Sequence, residues 1–357
     1  MTRVVEVRRS SLGKTQIVTA PTVDLAHGQV RLKINAFGLT ANNITYAVFG
    51  DAMQYWNFFP AASGSTWGVV PMWGFADVSE SRVEGVAVGE RFYGYLPMAE
   101  DLNVTPARIG SRGFVDSSPH RSSLPSAYNF CVRCSSDSRY SADGEDVQML
   151  LQPLFTTSFL IDDFLADNDF FGATRVIATS ASSKTAFGTA HLVQRRSSVK
   201  VTGLTSPANT EFTESLGSYD EVLAYDALRG MAQEASVLLD FAGNANVVRA
   251  VHEHLGDSLK HSIAIGGTHW DADRPAGQHP GPRQEFFFAP TQVEKRTADW
   301  GGAELQLRIN DRWAEFVPLA AASLDVRVHH GIEAAETVYH NVLAGTTPGG
   351  IANVIRL

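Results

Sequence analysis

The chain has 357 residues, a length that predicts about two domains. Apolar residues make up 44% and charged residues 19%, as in ordinary globular proteins, and the formal net charge of −9 argues against a protein that binds nucleic acid through its phosphates. No run of the sequence approaches the 18 apolar residues of a membrane-spanning helix. We therefore expect neither a nucleic acid nor a membrane as partner.

The N-terminal residues and the cysteines bear on the compartment. The start, MTRVVEVRRSSLGK, lacks the apolar segment of a secretory signal. The cysteines are Cys131 and Cys134, in a single CVRC motif, which is too few for a disulfide scaffold in a chain of this size. We expect a cytoplasmic location.

The first hundred residues have the pattern of an all-β segment. Short β-branched or aromatic runs alternate with Gly, Pro and Asp turns at a spacing of about ten residues, which is typical of a barrel. Residues 101–147 have less regular pattern and are rich in Ser, Pro and Arg. We expect an ordered lobe there, because the segment contains Phe114, Tyr128, Phe130 and Tyr140, aromatic residues of the kind that folded proteins bury.

From Gln148 the pattern changes to alternating helix and strand. The strand-like segments ATRVIATSAS (173–182, with its polar turn), VKVTGLTS (199–206) and SVLLDFAG (236–243) are separated by helical segments of about ten residues. This alternation predicts a doubly wound parallel sheet with helices on both faces, over residues 151–290. The last strand, IANVIRL, follows a helix and is expected to return to the sheet of the first domain.

The most informative stretch is RVIATSASSKTAFGTAHLVQ, residues 175–194. A buried strand enters a turn of small residues in which a helix begins, a geometry that binds pyrophosphate through backbone N–H groups. The usual G-x-G-x-x-G is absent, and the alternative is an ordinary strand-to-helix turn with Gly188 present for helix packing. The predicted cofactor residues of this turn are Ser180, Ser182, Lys184, Thr185 and Gly188.

Two further strands end in glycine-containing turns. LLDFAG (238–243) and SIAIGG (262–267) place Gly243 and Gly266 at the carboxyl edge of the same sheet, where open α/β folds bind ligands. We therefore add both glycines to the predicted cofactor site.

Six phrases follow one another along the chain: GQVRLKINAFGLTANNITYAVFG (28–50), VAVGERFYG (86–94), the segment 175–194, SLGSYDEVLAYD (215–226), LLDFAGNANVVRAV (238–251) and GIEAAETVYHNVLAGTTPGGIANVIRL (331–357). Their content and order resemble the medium-chain dehydrogenase/reductase family, in its zinc-free quinone-reductase and enoyl-reductase branch. A further phrase, GPRQEFFFAPTQVEKRTADWG (281–301), looks like one from an uncharacterised bacterial subgroup of that family.

The resemblance implies an α/β fold with two domains. A GroES-like β-barrel catalytic domain would span residues 1–150 and be completed by about 291–357, and a Rossmann domain would span 151–290. The family's active site lies in the cleft between them, and relatives in this branch are commonly dimers, which implies a homodimer.

The resemblance also points to the catalytic residues. Zinc-dependent members have a catalytic Cys where this chain reads GLTANN, and their four-Cys lobe is missing here, so we expect no metal site. Zinc-free relatives keep polar residues facing the nicotinamide where this chain has Asn42, Asn43 and Tyr46. Asn43 could hold an amide or carbonyl and Tyr46 could donate a proton; the alternative is that the segment is a turn and Tyr46 packs. The aromatic segment 52–68 is either a substrate wall or barrel core.

These inferences together predict an NADPH-dependent oxidoreductase. Without zinc, reduction of an activated C=C bond needs a placed hydride, polar groups on the carbonyl and a proton source. The substrate would be a small apolar α,β-unsaturated carbonyl compound or a quinone. The second predicted Rossmann strand ends in Thr205, Ser206 and Asn209 rather than in a carboxylate, which favours NADPH over NADH. The alternatives are a degenerate nucleotide-binding module without turnover and a non-redox enzyme on the same scaffold.

Overall fold

The computed structural model describes residues 1–241, 243–265 and 280–357. The chain divides into two compact units. Unit 1 comprises Met1–Leu150 and Asp325–Leu357, and unit 2 comprises Leu151–Leu324.

Strands dominate the N-terminal part of the chain, and helices alternate with strands from α2 to β16. The elements before β11 are β1 (Thr2–Arg8), β2 (Ser11–Ala20), β3 (Val30–Leu39), α1 (Ala41–Val48), β4 (Trp67–Gly68), β5 (Pro71–Ser81), β6 (Arg91–Pro97), β7 (Asp101–Val104), β8 (Pro106–Gly110), β9 (Gly113–Asp116), β10 (Phe130–Arg133) and α2 (Glu145–Asp167). Those that follow are β11 (Arg175–Ala178), α3 (Lys184–Arg196), β12 (Lys200–Thr205), α4 (Thr210–Ser215), β13 (Glu221–Ala224), β14 (Ser236–Asp240), α5 (Ala245–Leu255), β15 (Leu259–Ala264), β16 (Glu285–Phe286), α6 (Ala289–Trp300), α7 (Gly302–Ser323), β17 (Asp325–His330), α8 (Ile332–Leu343) and β18 (Ile351–Arg356).

Unit 1 is built on a nine-stranded sheet and a three-stranded sheet. The nine-stranded sheet has the order β17-β18-β3-β5-β6-β10-β9-β8, with β7 also paired to β3, and the small sheet has the order β2-β1-β4. Strand β18 pairs antiparallel with β3, with Asn353 opposite Leu39 and Arg356 opposite Ala36. The prediction that the last strand returns to the first domain's sheet is therefore confirmed.

The aromatic segment that follows α1 lies in the hydrophobic core of unit 1. Trp56 and Phe58 are 2% and 0% exposed, and Tyr55 and Phe59 are also buried. Gly68 makes room for the indole, since a Cβ at this position would lie 2.3 Å from Trp56. Of the two interpretations of residues 52–68, the structure supports barrel core for these four side chains.

Residues 101–147 contain more regular structure than their sequence pattern suggests. Strand β10 pairs antiparallel with both β6 and β9, so the segment extends the main sheet. Strands β9 and β10 have only four residues each, and runs of that length are too short to show a period of two clearly. Within the lobe, Arg121 forms a buried ion pair with Asp116 at 3.3 Å.

Unit 2 contains a six-stranded parallel sheet with the order β13-β12-β11-β14-β15-β16. Strands β12 and β13 lie on one side of β11, whereas β14 and β15 lie on the other. The order therefore reverses between β11 and β14, and ligands bind at such a switch point in open α/β sheets. The predicted doubly wound parallel sheet is confirmed.

The chain returns to unit 1 at Asp325, later than the residue 291 expected from the resemblance. Helices α6 and α7 pack within unit 2. Asp163 of α2 accepts hydrogen bonds from Arg296 and Gln292 of α6 at 2.6 and 2.5 Å, and Phe155 stacks on Phe316 of α7 with ring centroids 4.9 Å apart. These buried contacts hold both helices to unit 2.

Within the residues described, no helix is both long and apolar enough to cross a membrane.

Candidate functional site

The turn that follows β11 has an unusual backbone conformation at Ser180. Its φ of +48° lies in the left-handed region that residues other than glycine rarely adopt. The N–H of Ser180 donates to the hydroxyl of Tyr225 at 3.0 Å, and its carbonyl accepts from the N–H of Ser183 at 2.7 Å. Such strain persists only where the surroundings enforce it, and it concentrates at functional sites. The conformation supports this turn as a binding loop.

Helix α3 begins in this turn. Ser183 is its N-cap, and the Ser183 hydroxyl accepts the N–H of Ala186 at 3.3 Å. The backbone N–H of Thr185 has no hydrogen-bond partner within residues 1–241, 243–265 and 280–357. A helix N-terminus with open amides favours phosphate. The sequence prediction missed Ser183, although a serine just before a helical segment is a capping signal.

Lys184 is the first residue of α3 and is half-buried. Burial lowers the pKa of its ammonium group to about 8, because desolvation disfavours the charged form. The side chain is therefore still mostly protonated at neutral pH. A bound phosphate would favour the charged form and raise this pKa again.

Gly188 lies inside α3 rather than in the turn. A Cβ there would come within 2.7 Å of Ser158 Oγ and 3.1 Å of Ser158 Cβ on α2. Gly203 of β12, which the sequence analysis did not select, allows the turn after β11 to approach β12 closely. A Cβ at Gly203 would lie 2.8 Å from Ala181 Cβ. The geometry at Gly188 favours the helix-packing alternative for this residue.

The end of β12, which carries the predicted residues Thr205, Ser206 and Asn209, lies beside the turn. Thr205 Oγ1 donates to Ser182 Oγ at 3.5 Å, the long limit of a hydrogen bond. Asn209 Nδ2 donates to Ser206 Oγ at 3.1 Å, and both of these side chains are half-buried. The structure thus brings Ser182, Thr205, Ser206 and Asn209 to one edge of the sheet.

A buried carboxylate connects the turns after β11 and β14. Asp240 is fully buried, and its Oδ1 accepts from Thr179 Oγ1 at 2.8 Å and from the N–H of Gly243 at 3.0 Å. Thr179 Oγ1 in turn accepts the N–H of Phe241 at 3.0 Å. Asp240 was not predicted, although it ends the apolar run SVLLD. Gly266, which was predicted, lies outside the described residues.

In unit 1, Asn43 is occupied by hydrogen bonds at the start of α1. Its Oδ1 accepts from the N–H of Thr40 at 2.7 Å, and its Nδ2 donates to the carbonyl of Pro71 at 3.0 Å. The two residues form a capping box. Because both ends of the amide have protein partners, this geometry favours a structural role for Asn43.

Tyr46 lies one helical turn after Asn42, on the same side of α1. The phenol is 5% exposed, and its oxygen accepts hydrogen bonds from Asn42 Nδ2 at 2.8 Å and Trp73 Nε1 at 3.1 Å. Burial raises the pKa of Tyr46 well above its usual range. The hydroxyl is therefore protonated at physiological pH and can donate a hydrogen bond. Sequence analysis selected Asn42 and Tyr46 but not Trp73.

Other phenols surround Tyr46. Its ring lies 4.8 Å from that of Tyr55 and 5.4 Å from that of Tyr95, measured between centroids. The hydroxyls of Tyr93 and Tyr95 are buried without a hydrogen-bond partner among the residues described. Buried phenols normally find a partner, so this region has polar groups left over for a water or a ligand.

The two cysteines are not activated. Burial raises the pKa of both Cys131 and Cys134 to about 12, and the thiolate is the reactive form. In the described ranges, no three His, Cys, Asp or Glu side chains are grouped so as to hold a metal ion.

Several solved structures share this fold. CurA from Vibrio vulnificus matches with a TM-score of 0.60 at 12% identity, over 100% of this chain and 98% of its own, and CurA has also been solved with NADPH. The yhdH oxidoreductase from Salmonella enterica, in complex with NADP, matches with a TM-score of 0.55 at 13% identity, over 100% of both chains. CurK enoyl reductase matches with a TM-score of 0.58 at 13% identity, over 99% of both. The expected α/β fold is thereby confirmed.

The chain belongs to the family described as "Protein of unknown function (DUF2855)", which matches residues 37–348. No curated protein sequence matches it.

Proposed function

We propose that this protein is an NADPH-dependent oxidoreductase that delivers hydride, without zinc, to an activated C=C bond or a quinone. The observation that carries the proposal is the turn between β11 and α3, where a strained Ser180, the N-terminus of α3 and the half-buried Lys184 lie beside the end of β12. The same fold in CurA and in yhdH, solved with NADPH and NADP, supports it.

The residues of this turn fit a dinucleotide phosphate. The open N–H of Thr185 and the Lys184 ammonium would hold the pyrophosphate, since both offer donors to an anion. Ser206 and Asn209, at the end of the neighbouring strand, would hold the ribose and its 2′-phosphate. When bound, NADPH supplies the hydride.

Tyr46 would act on the substrate. Its hydroxyl is neutral at physiological pH and would hydrogen-bond the carbonyl oxygen or supply the proton that completes the reduction. The apolar and aromatic surroundings of Tyr46 suit a substrate that is itself apolar. Asn42 contacts Tyr46 and shares this region.

A nucleotide-binding module without turnover is the second candidate. It is favoured by Asn43 and Gly188, two predicted site residues whose observed contacts are internal to the fold. It predicts the same cofactor binding but no redox chemistry.

The deciding experiment measures NADPH binding by calorimetry and then NADPH oxidation with a panel of enones and quinones. We expect micromolar or tighter binding and oxidation with at least one of the two substrate classes. Binding with no oxidation across the panel would favour the module. If neither NADPH nor NADH binds, the proposed function is wrong.

Ser206→Asp is expected to shift the cofactor preference toward NADH. A carboxylate at the end of β12 repels the 2′-phosphate and accepts hydrogen bonds from ribose hydroxyls. We expect NADPH affinity to fall about tenfold or more, equivalent to about 1.4 kcal/mol, with NADH affinity unchanged or improved. Titration of both cofactors at equal ionic strength measures this, with Ser206→Asn as the uncharged control. Equal losses for both cofactors would place the 2′-phosphate elsewhere.

NADPH affinity is expected to fall as the pH rises above about 8. Lys184 loses its proton there in the cofactor-free protein, whereas a bound phosphate raises its pKa, so binding takes up a proton. Between these two pKa values, the dissociation constant should rise up to about tenfold per pH unit, and below pH 8 it should be flat. Lys184→Met should bind more weakly and show no such pH dependence. A wild-type profile in that variant would remove Lys184 from the phosphate site.

A further inference from the structure

The oxygen of Tyr46 is held by two nitrogen donors from different elements. Asn42 Nδ2, on α1, lies 2.8 Å away, and Trp73 Nε1, on β5, lies 3.1 Å away. An indole N–H can only donate, so the direction of the second bond is certain from its chemistry. Both bonds are therefore directed into the phenol oxygen.

This arrangement determines what the hydroxyl can do. A phenol oxygen has two lone pairs and one proton, and the two N–H groups occupy both lone pairs. Among the residues that the structure describes, no acceptor lies within hydrogen-bonding distance of the Tyr46 proton. Tyr46 can thus donate its proton to a further group but can accept no further hydrogen bond.

We propose that Trp73 and Asn42 are positioning residues that hold the Tyr46 hydroxyl as a donor and stabilise the phenolate left when it gives up its proton. The inference rests on the proposed function. Hydride addition to the β-carbon of an enone moves the C=C electron pair toward the carbonyl and forms an enolate. The Tyr46 proton goes to the enolate carbon, the O–H electron pair stays on the phenolate, and water later restores the proton.

The surroundings of Tyr46 give the two N–H groups a large influence on the equilibrium between its phenol and phenolate forms. The titratable groups in ring contact with Tyr46 are three other phenols, Tyr55, Tyr95 and Tyr128. No charged side chain among the described residues hydrogen-bonds the Tyr46 oxygen. Burial disfavours the phenolate, and the two N–H donors are the groups that favour it.

The test measures the pKa of the phenol directly. We would place 3,5-difluorotyrosine, which is more acidic than tyrosine, at position 46 and titrate it by fluorine NMR in the full chain without substrate or cofactor. Trp73→Phe keeps an aromatic ring but loses the N–H, and we expect it to raise this pKa by about one unit, a tenfold change in the proton equilibrium. Trp67→Phe, in β4, is the matched control and should leave it unchanged.

Asn42→Leu is the second variant, because it keeps the approximate shape of the side chain, removes its N–H donors without adding a charge and does not depend on Trp73→Phe folding. It should also raise the pKa of the phenol. If neither Trp73→Phe nor Asn42→Leu moves the pKa of the phenol, the inference is wrong, whatever the activity of the protein.

The kinetic readout separates this inference from the proposed function. With an active substrate, Trp73→Phe should lower kcat about tenfold with little change in KM, and it should have no further effect in a Tyr46→Phe background. A full additional loss in that background would contradict positioning through Tyr46. A shifted pKa in a protein that oxidises no NADPH would support the phenolate contacts and overturn the proposed function instead.

Discussion

Tyr46→Phe is expected to lower kcat by about 10²–10⁴-fold, the usual contribution of a general acid. The substitution removes the only proton on the Tyr46 ring that can be transferred and keeps the ring contacts with Tyr55 and Tyr95. NADPH affinity should stay nearly unchanged, because the predicted phosphate contacts are all in unit 2. Steady-state kinetics and cofactor titration measure the two effects.

Stability must be controlled in this experiment. The variant leaves Asn42 Nδ2 and Trp73 Nε1 without their acceptor, which costs about 1–3 kcal/mol if they stay dry. Tyr339→Phe is the matched control, because it also removes a buried phenol hydroxyl of unit 1, one that donates to the carbonyl of Leu12 at 3.0 Å. Tyr339→Phe should lower stability but leave kcat unchanged. Wild-type turnover in Tyr46→Phe would assign Tyr46 to packing.

Gly188→Val is expected to destabilise unit 2 by about 1–3 kcal/mol or more, the usual cost of overpacking. A Cβ at this position meets Ser158 Oγ at 2.7 Å and Phe155 Cδ2 at 3.5 Å, and the branched valine adds two more carbons. Loss of NADPH binding would then follow from displacement of α3 or from unfolding. Urea denaturation measures the loss of stability. Cofactor titration of the folded protein then shows whether NADPH binding is lost because α3 is displaced or because the protein unfolds.

A double-mutant cycle identifies the clash. Gly188→Ala and Ser158→Gly should each destabilise the protein, and their combination should be more stable than the sum of the single losses predicts. The hydroxyl of Ser158 also donates to the carbonyl of Thr185 at 2.8 Å, so some loss should remain. A variant Gly188→Val with wild-type stability but no NADPH affinity would show instead that this glycine faces the dinucleotide.

The parts of the fold that the sequence predicted well are those with long, regular patterns. Buried strands such as β11 and β14 are continuous apolar runs between helices, which is typical of a parallel sheet. The sequence pattern did not divide residues 101–147 into strands, because β9 and β10 have only four residues each. The lobe joins the sheet through the pairing of β10 with β6, which is distant in sequence. The placement of α6 in unit 2 likewise depends on a contact between residues distant in sequence, the ion pair of Arg296 on α6 with Asp163 on α2.

For the candidate site, local sequence selected the turn between β11 and α3 but not all of the residues that the structure places beside it. A strand, small polar residues and a helix start are consecutive in the chain, so Ser180, Lys184 and Thr185 could be selected from it. Asp240 could not, because its partner Thr179 is 61 residues away. The role of Gly188 was also hidden, since it depends on the position of Ser158 on another helix.

The sequence by itself therefore determined the class of fold, the location of the strand-to-helix turn proposed to bind the cofactor and the polar character of the segment around Tyr46. These follow from patterns within about twenty consecutive residues, where the backbone conformation is decided largely by neighbouring residues. Only the tertiary structure decided that Trp73 donates to Tyr46, that Asp240 joins two turns and that Gly188 packs against Ser158. Those contacts join residues from separate elements, and their distances exist only once the elements have packed.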